Sequence, residues 1–270
     1  MNFASSASNF ASEADGTVAD LFDLLGRPGV LLAVWAHPDD ESFLGAGLMA
    51  EVARRGGRVV NVTATVGEHG IAETDQQPSA LGTTRSDELE TALSAIGAEP
   101  AKVLGFSDGA CEHVPDALGA RHVASVIDDV RPNVILGFGP DGVTGHPDHR
   151  AVARWTARAV EQTGNRLPFV TTAAGQAWPE PCVERLHQID AFWPGYPQRA
   201  VAGSPVAVGL NADLLDRKLA ALSAHDSQIG PVQDVLGPDL YRRLASTEAY
   251  RGANAAASRL LIPGSVLATA

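Results

Sequence analysis

Two short motifs place imidazole and carboxylate side chains next to each other in this sequence. AHPDDE occupies residues 36–41 and GHPDH occupies residues 145–149. His37 and Asp40 of the first motif offer a nitrogen and an oxygen ligand for a divalent cation, and His149 of the second offers another nitrogen. Three protein ligands that leave a coordination position open are typical of a catalytic rather than a structural zinc site.

The carboxylates of the first motif also have a purely structural explanation. Asp39, Asp40 and Glu41 precede an amphipathic segment, and acidic side chains at the start of a helix complement its N-terminal dipole. The second motif could likewise be a polar helix start that holds two histidines. Two similar motifs are less easily explained in this way than one. If the cation site exists, Asp39 can point away from Asp40 and act as a general base.

The elements that precede the motifs predict that the motifs meet in space. Residues 30–36 (VLLAVWA) and 134–138 (VILGF) are short, continuously apolar runs, which is typical of strands buried on both faces of a parallel sheet. In a sheet of strand order 3-2-1-4-5, the first and fourth strands are neighbours, and ligands bind beyond their carboxyl ends. We therefore expect His37, Asp40 and His149 to converge there.

Strands and helices are predicted to alternate from residue 29 to about residue 160. The other predicted strands are 59–66 and 102–106, and the predicted helices are 41–55, 84–96, 116–130 and 148–161. Such alternation indicates an α/β protein with a mostly parallel sheet and helices on both faces.

The pattern changes after residue 165. Strands are predicted at 169–174, 184–192 and 206–210, among proline-rich loops, and a helix at 212–224. We interpret residues 166–270 as a smaller C-terminal cap or extra-strand region that belongs to the same domain as a core of residues 29–165. Residues 1–28 are interpreted as an N-terminal tail and lead-in helix.

Composition narrows the classes of protein and partner. The 270-residue chain is 45% hydrophobic and 19% charged, which excludes a disordered chain, and its net charge of −12 disfavours nucleic acid or an anionic membrane as partner. Cys111 and Cys182 form no CxxC pattern, which excludes a disulfide scaffold and a cysteine-based zinc site. Without a signal-like start or a spanning apolar run, we expect a cytoplasmic protein. A homo-oligomer remains open.

Together with four further stretches, the two motifs resemble the LmbE-like, or PIG-L, family of metal-dependent N-deacetylases. This family includes N-acetylglucosaminyl-inositol deacetylases and mycothiol conjugate amidases. The further stretches are TVGE at residues 65–68, TRSDEL at 84–89, GFSDG at 105–109 and AHDSQ at 224–228. With the two motifs, they extend the resemblance from Val30 to Ile229.

The resemblance implies a Rossmann-like fold and a zinc ion held by His37, Asp40 and His149, with Fe²⁺ or another divalent metal as the alternative. It also implies that Asp39 is the general base.

The same resemblance implies roles for four more residues. His146 would be the oxyanion partner or the acid, and Asp148 would orient it. A carboxylate beside an imidazole raises the pKa of the imidazole, so Asp148 could also keep His146 charged. Arg85 and His225 would bind the substrate. The position of Glu68 after the second predicted strand, on the same side of the sheet, predicts a substrate contact for it as well, with a plain loop residue as the alternative.

We therefore predict a zinc-dependent hydrolase that removes an N-acyl group, in the first instance N-acetyl, from a small amino sugar or glycoside conjugate. An amidase that cleaves a larger acyl group would use the same chemistry. One alternative is a non-catalytic, metal-containing sugar-binding module, which could dispense with Asp39 or His146. Another is a metal-dependent phosphoesterase. Such sites often hold two metals and need more ligands, and the sequence offers no further His/Asp cluster.

Overall fold

The structure is a computed structural model that describes residues 16–17, 29–71, 77–198 and 205–261. Of the predicted N-terminal tail and lead-in helix, only Gly16–Thr17 falls within these ranges, and it forms a short strand rather than part of a helix. The rest of residues 1–28 lies outside the described residues.

Eight strands form one sheet within the described ranges. In chain order they are β1 Gly16–Thr17, β2 Val30–Trp35, β3 Arg58–Thr63, β4 Lys102–Val103, β5 Val134–Phe138, β6 Phe169–Thr172, β7 Val206–Gly209 and β8 Thr247–Gly252. The order across the sheet is β1-β7-β8-β6-β5-β2-β3-β4. Neighbouring strands are parallel except where β8 pairs with β6 and β7.

The centre of the sheet confirms the predicted strand order. From β4 through β3, β2 and β5 to β6, the strands follow the order 3-2-1-4-5. Leu31 of β2 pairs with Val59 of β3 on one side and with Val134 of β5 on the other, so the loops after β2 and β5 emerge side by side. Every residue of β5 and all but the first of β2 are buried, because helices cover both faces of the sheet.

Ten α-helices accompany the sheet in the part of the chain that the structure describes. They are α1 Asp40–Leu44, α2 Ala46–Arg54, α3 Pro78–Ile96, α4 Asp116–Val130, α5 Pro147–Gln162, α6 Ala174–Ala177, α7 Glu180–Leu186, α8 Ala212–Ala224, α9 Asp226–Ala245 and α10 Ala255–Leu260. The α/β fold class is thus confirmed. Among these helices, none combines the length and the apolar character needed to cross a bilayer.

The strand predicted at residues 184–192 is wrong. The chain there forms the end of α7 and a 3-10 turn at His187–Ile189. Pro181 lies in the first turn of α7, where a missing N–H breaks no helical hydrogen bond. Val183 and Leu186 are buried at a spacing of three residues, which is helical rather than extended.

Helix boundaries differ from prediction at two further places. Helix α3 begins at Pro78 rather than at Thr84, again with proline in the first turn, where it is tolerated. The helix predicted over residues 41–55 is interrupted at Gly45, which separates α1 from α2. The interruption gives α1 its own short turn directly after the first motif.

Candidate active site

The first motif folds into a tight loop at the carboxyl end of β2. Asp40 Oδ2 accepts hydrogen bonds from the backbone N–H groups of Ala36 (3.2 Å) and His37 (2.8 Å), which turns the Asp40 side chain back toward His37. Asp39 has a left-handed backbone with φ 104°, which is unusual for a residue other than glycine. Its N–H donates to Glu41 Oε2 at 3.1 Å, and this bond holds the turn.

The three predicted metal ligands lie together. His149 enters from the first turn of α5, after β5, and its Nε2 is 3.1 Å from His37 Nδ1. Asp40 Oδ1 lies 3.3 Å from His149 Nε2, and Asp40 Oδ2 lies 3.8 Å from His37 Nδ1. All three side chains are buried. The strand order therefore brings together residues that are more than a hundred positions apart in the sequence.

The outer ring nitrogens of both histidines have acceptors. His37 Nε2 lies 3.0 Å from Asp108 Oδ1 and 3.3 Å from Asp148 Oδ2, and His149 Nδ1 lies 3.0 Å from the Gly142 carbonyl. These contacts assign the ring protons to the outer nitrogens and leave a lone pair on each inner nitrogen. Two lone pairs that face each other at 3.1 Å repel unless a proton or a cation lies between them.

The pKa values of the two histidines reflect this crowding. Burial lowers the pKa of His37, but the carboxylates of Asp108 and Asp148 outweigh it and raise the pKa to about 10. Burial also lowers the pKa of His149, and the charge on His37 lowers it further, to about 3. Without a metal ion, the pair therefore holds one proton more than two neutral rings at neutral pH, between the inner nitrogens, in the place where a cation would bind.

The donor separations fit a divalent metal ion. An ion with bonds of about 2.0–2.2 Å in tetrahedral geometry separates its ligand atoms by roughly 3.3–3.6 Å. The three separations here are 3.1, 3.3 and 3.8 Å, and the set of two nitrogens and one carboxylate is one that such ions accept. A ring nitrogen of His146 lies within 4.8 Å of those of His37 and His149, beside the same point.

Arg85, the predicted substrate contact, lies beneath the loop rather than at its surface. Only 4% of this α3 residue is exposed. Its Nη1 donates to the Gly67 carbonyl at 2.8 Å, and its Nη2 donates to the Pro38 carbonyl and to Asp39 Oδ2, the latter at 3.1 Å. Burial raises the pKa of Asp39 to about 6, and the charge of Arg85 opposes a larger rise.

The sequence predicts that the Asp148 carboxylate orients His146. In the structure this carboxylate contacts His37 instead. The carboxylate also accepts N–H bonds from Gly109 (2.8 Å) and Cys111 (3.0 Å). Only the backbone N–H of Asp148 contacts His146, at 3.1 Å from Nδ1. Residues two apart at the start of a helix do not face each other, so the two side chains diverge. Burial, followed by the charges of His37 and His149, lowers the pKa of His146 to about 4.

Glu68 and His225 also have structural partners. Glu68 Oε1 accepts the backbone N–H of Asp108 at 2.9 Å, which ties together the loops after β3 and β4. His225 is fully buried, and its Nε2 lies 2.8 Å from Glu41 Oε1. Neither side chain lines the cavity beside the metal donors, so the structure gives no direct support to a substrate contact by either residue.

Asp108 contacts His37, which the sequence did not predict. The residue lies in the GFSDG stretch, and its carboxylate is the nearer of the two that face His37 Nε2. It follows β4 as the two motifs follow β2 and β5, and this shared position at the sheet edge was the signal available. Asp108, His37 and Asp148 form a cluster that the sequence did not predict. Backbone N–H groups already occupy both carboxylates, at His69 for one and at Gly109 and Cys111 for the other.

A cavity of about 230 Å³ opens beside the metal donors. Its polar lining residues are Asp39, Asp40, Thr144, His146 and His149, all of which belong to the two motif loops or directly precede one of them. The remaining eight lining residues are apolar. The cavity thus has one end that can do chemistry and a larger part that can hold only an apolar group.

A family model and a curated protein that match this chain are both described as deacetylases. A family model described as PIG-L, GlcNAc-PI de-N-acetylase, matches residues 32–160. A 1D-myo-inositol 2-acetamido-2-deoxy-alpha-D-glucopyranoside deacetylase of Mycobacterium sp. strain KMS is 31% identical over 258 residues, which cover 80% of this chain and 83% of that protein.

Two solved structures share the fold. The A40926 pseudoaglycone deacetylase Dbv21 is 20% identical with a TM-score of 0.61, and the match covers 82% of this chain and 95% of that one. GalB, a 4-carboxy-2-hydroxymuconate hydratase from Pseudomonas putida KT2440, is 16% identical with a TM-score of 0.59 and coverage of 84% and 96%. A deacetylase and a hydratase therefore share this architecture, and the fold alone does not fix the reaction.

Proposed function

The chain belongs to the PIG-L family of de-N-acetylases, and from that premise we propose that it hydrolyses an N-acyl amide on an amino sugar or glycoside conjugate with the help of a divalent metal ion. The observation that carries the proposal is the convergence of His37, Asp40 and His149 beside Asp39, next to a cavity that Asp39, Asp40 and His149 help to line. The relative from Mycobacterium is named for an acetamido sugar linked to inositol, which supports an amino-sugar substrate.

We assign the metal to His37 Nδ1, His149 Nε2 and the Asp40 carboxylate, and we propose zinc, with Fe²⁺ as the alternative. When bound, the ion would polarise the amide carbonyl and lower the pKa of water from 15.7 to about 7. Asp108 and Asp148 hold the His37 ring from behind, and the Gly142 carbonyl does the same for His149. Such partners fix the ring orientation and raise ligand basicity.

Asp39 is the proposed general base. Its carboxylate is 22% exposed, whereas that of Asp40 is 7% exposed, so Asp39 remains reachable from the cavity that it lines. With a pKa of about 6, it is ionised at neutral pH and can still accept a proton from the attacking water. It can then deliver that proton to the departing amine.

His146 is the proposed donor to the tetrahedral oxyanion. Because its Nδ1 accepts the Asp148 N–H, the proton of the neutral ring is on Nε2, which is free to donate. The neutral ring therefore suffices, and the charged form expected from the sequence is not required. A donor of this kind typically contributes about 3–4 kcal/mol to transition-state stabilisation.

Trp193 offers a surface for the sugar. Its side chain is 47% exposed, and its ring lies edge-to-face with His146 at a centroid distance of 5.8 Å. A large amphipathic ring beside the reacting group can stack on the apolar face of a pyranose.

Both alternatives are less well supported. A sugar-binding module gains nothing from the strained backbone of Asp39, which positions a carboxylate beside the donors. A two-metal phosphoesterase would need Asp108 and Asp148 as ligands of a second ion, but backbone N–H groups and His37 already occupy their oxygens.

The proposal is tested by separating metal binding from turnover. Asp39→Asn should retain the metal and lose about 10²–10⁴-fold in kcat, because only the base is removed. His37→Ala should lose both metal and activity. Metal content is measured by elemental analysis, and turnover by free-amine release from a panel of N-acylated sugars, each with and without chelator.

Exposed residues of the same type supply the matched controls. The side chains of Asp213 and His113 are 59% and 78% exposed, so Asp213→Asn and His113→Ala should behave as wild type. Wild-type turnover by Asp39→Asn would remove the base assignment. Amine release that is unaffected by chelator would exclude a metal ion from the proposed reaction.

A further inference from the structure

The apolar wall of the cavity beside the metal donors comes mainly from the C-terminal part of the chain. Six of its eight apolar lining residues follow residue 165, and only Phe43 and Leu44 come from the motif loop and its helix α1. Leu186 of α7 and Leu244 of α9 are buried, and Val232 of α9 is partly buried. The core therefore supplies the chemistry, and the cap region supplies the apolar wall.

The apolar wall selects what can enter. A pyranose or inositol ring carries hydroxyl groups around its rim, and in an enclosed apolar cavity each would lose its water without gaining a partner against Leu186, Phe192 and Leu244. An alkyl or aryl chain gains free energy by leaving water for the same surface. The two ends of an N-acyl amino sugar thus have opposite preferences, and only the acyl end suits this cavity.

The size of the cavity exceeds what an acetyl group needs. An apolar cavity of about 150 Å³ in another protein binds benzene, a group of six carbons. The present cavity has about 230 Å³. An acetyl methyl group would leave most of this volume empty, and the apolar lining atoms would lose the contacts that a longer chain provides.

We propose that this cavity is an acyl subsite for an N-linked fatty or aryl acyl group longer than acetyl, with about six carbons as the preferred length. The acyl chain would run along Phe43 and Val232 toward Trp178, while its carbonyl lies at the polar end among Asp39, His146 and the metal donors. The amine-bearing sugar then remains outside the cavity, on the side of exposed Trp193. This inference rests on the proposed amide hydrolase and names its substrate class.

The first test compares chain lengths on one sugar. N-acetyl-, N-butyryl- and N-hexanoylglucosamine are hydrolysed by the metal-loaded wild type, and glucosamine release is measured. We expect kcat/KM to rise about fourfold per added methylene, because each buried methylene contributes that much to transition-state binding. A kcat/KM for the acetyl sugar that equals or exceeds the value for the hexanoyl sugar overturns the inference, while release from any of them leaves the hydrolase intact.

The second test fills or widens the cavity. Val232→Phe places a larger ring in the wall and should lower the hexanoyl-to-acetyl ratio of kcat/KM by at least about tenfold. Leu186→Ala widens the cavity and should move the preferred chain toward octanoyl. Val235→Phe is the matched control, because Val235 is one turn away on α9 and does not line the cavity. An equal fall in the ratio for Val235→Phe places the acyl chain elsewhere.

A binding measurement separates this inference from the proposed function. Calorimetry with Asp39→Asn follows the binding of N-hexanoylglucosamine and N-acetylglucosamine without turnover. Burial of the chain should give the hexanoyl sugar the more negative heat capacity change, and Val232→Phe in the same background should abolish the difference. If the two sugars show the same heat capacity change, the subsite is absent, whatever the fate of the hydrolase.

Discussion

Asp39 is the residue whose surroundings most directly prepare a reaction. Its left-handed backbone costs about 1–3 kcal/mol and persists only if neighbouring groups enforce it. Glu41 does so, because one carboxylate oxygen accepts the Asp39 N–H while the other is held by Ser42 Oγ at 2.6 Å and His225 Nε2 at 2.8 Å. The buried Glu41–His225 pair therefore positions the proposed base without touching the substrate.

Arg85 should act on the pH profile rather than on substrate affinity. Asp39 must be ionised to act as a base, so kcat/KM should fall on the acid side of its pKa, about 6. The positive charge of Arg85 lowers this pKa, so Arg85→Met should shift the acid limb to higher pH and change KM little. Arg85→Lys keeps the charge and should keep the limb near its wild-type position. The profiles are measured from pH 5 to 9.

The exposed Arg121, replaced by Met, is the control for the Arg85 variants. A large increase in KM with an unchanged acid limb would instead restore Arg85 as a direct substrate contact.

Asp108 should matter for metal affinity. It is the nearer of two carboxylates on His37 Nε2, and loss of such a partner typically weakens metal binding by about 10–100-fold. We expect Asp108→Asn to lose metal at limiting concentration and to regain most activity when metal is added. Titration of the apo-protein with Zn²⁺ measures the change, with the exposed Asp128→Asn as control. Unchanged affinity would make Asp108 a loop residue only.

At the scale of elements, a buried carboxylate in β8 holds the helices behind the site. Glu248 accepts N–H bonds from Gly47 (2.8 Å) and Leu48 (3.0 Å) in the first turn of α2, and Lys218 Nζ of α8 lies 2.8 Å from the same carboxylate. Lys218 Nζ also donates to the Phe43 carbonyl at the end of α1. Strand β8 thus fixes α1 and α2, which continue directly from the HPDD loop.

Replacement of Lys218 should show how much free energy it costs to bury the Glu248 carboxylate without a positive partner. Lys218→Met leaves Glu248 buried and unpaired, which we expect to lower the free energy of unfolding by about 3–5 kcal/mol at pH 7. Burial raises the pKa of Glu248, but Lys218, together with the hydrogen bonds from Tyr250 and Gly47, outweighs burial and holds the pKa below the usual 4.5 in the wild type. In the variant the pKa should rise above that value, so the deficit should shrink as the pH falls and Glu248 becomes protonated.

Urea denaturation at pH 7 and pH 5 measures the Lys218 effect, and Lys102→Met on the exposed β4 is the control. The double variant Lys218→Met/Glu248→Gln should recover part of the loss. A deficit that is the same at both pH values would exclude ionised Glu248 as its cause.

The same elements show how far the sequence could be interpreted. Strands β2 and β5 are apolar throughout, and a short apolar run of this kind forms little other than a buried strand. The convergence of His37, Asp40 and His149 could therefore be predicted from the strand order. Strand β8 is TEAYRG, and only its antiparallel partners β6 and β7 make it a strand. Helix α9 contains Pro231, Pro238 and a left-handed Gly237, which hide its periodicity. The direction of the Asp148 carboxylate depends on backbone N–H groups of a distant loop.

At the scale of the molecule, the candidate site joins parts that the chain keeps far apart. The loops after β2, β4 and β5 meet at one edge of the sheet, and residues beyond 165 close the cavity over them. Because a hydratase shares this architecture at 16% identity, the reaction must come from the side chains at that edge. The acyl preference should come from the lining residues beyond 165, so the reaction and the acyl preference can change independently.

Metal binding should therefore stabilise the whole fold, because the three ligands are assembled only when β2 and β5 are adjacent. A ligand that binds only the folded state at a hundredfold excess over its Kd adds about 2.7 kcal/mol, or roughly 5–10 °C in Tm for a domain of this size. The gain should increase from pH 5 to pH 8, because the metal must displace the proton that the His37–His149 pair holds. Scanning calorimetry with and without Zn²⁺ tests this, with Asp39→Asn retaining the shift and His149→Ala losing it. An equal shift in His149→Ala would mean that the ion binds elsewhere, and the assignment of this edge of the sheet as the metal centre would fail.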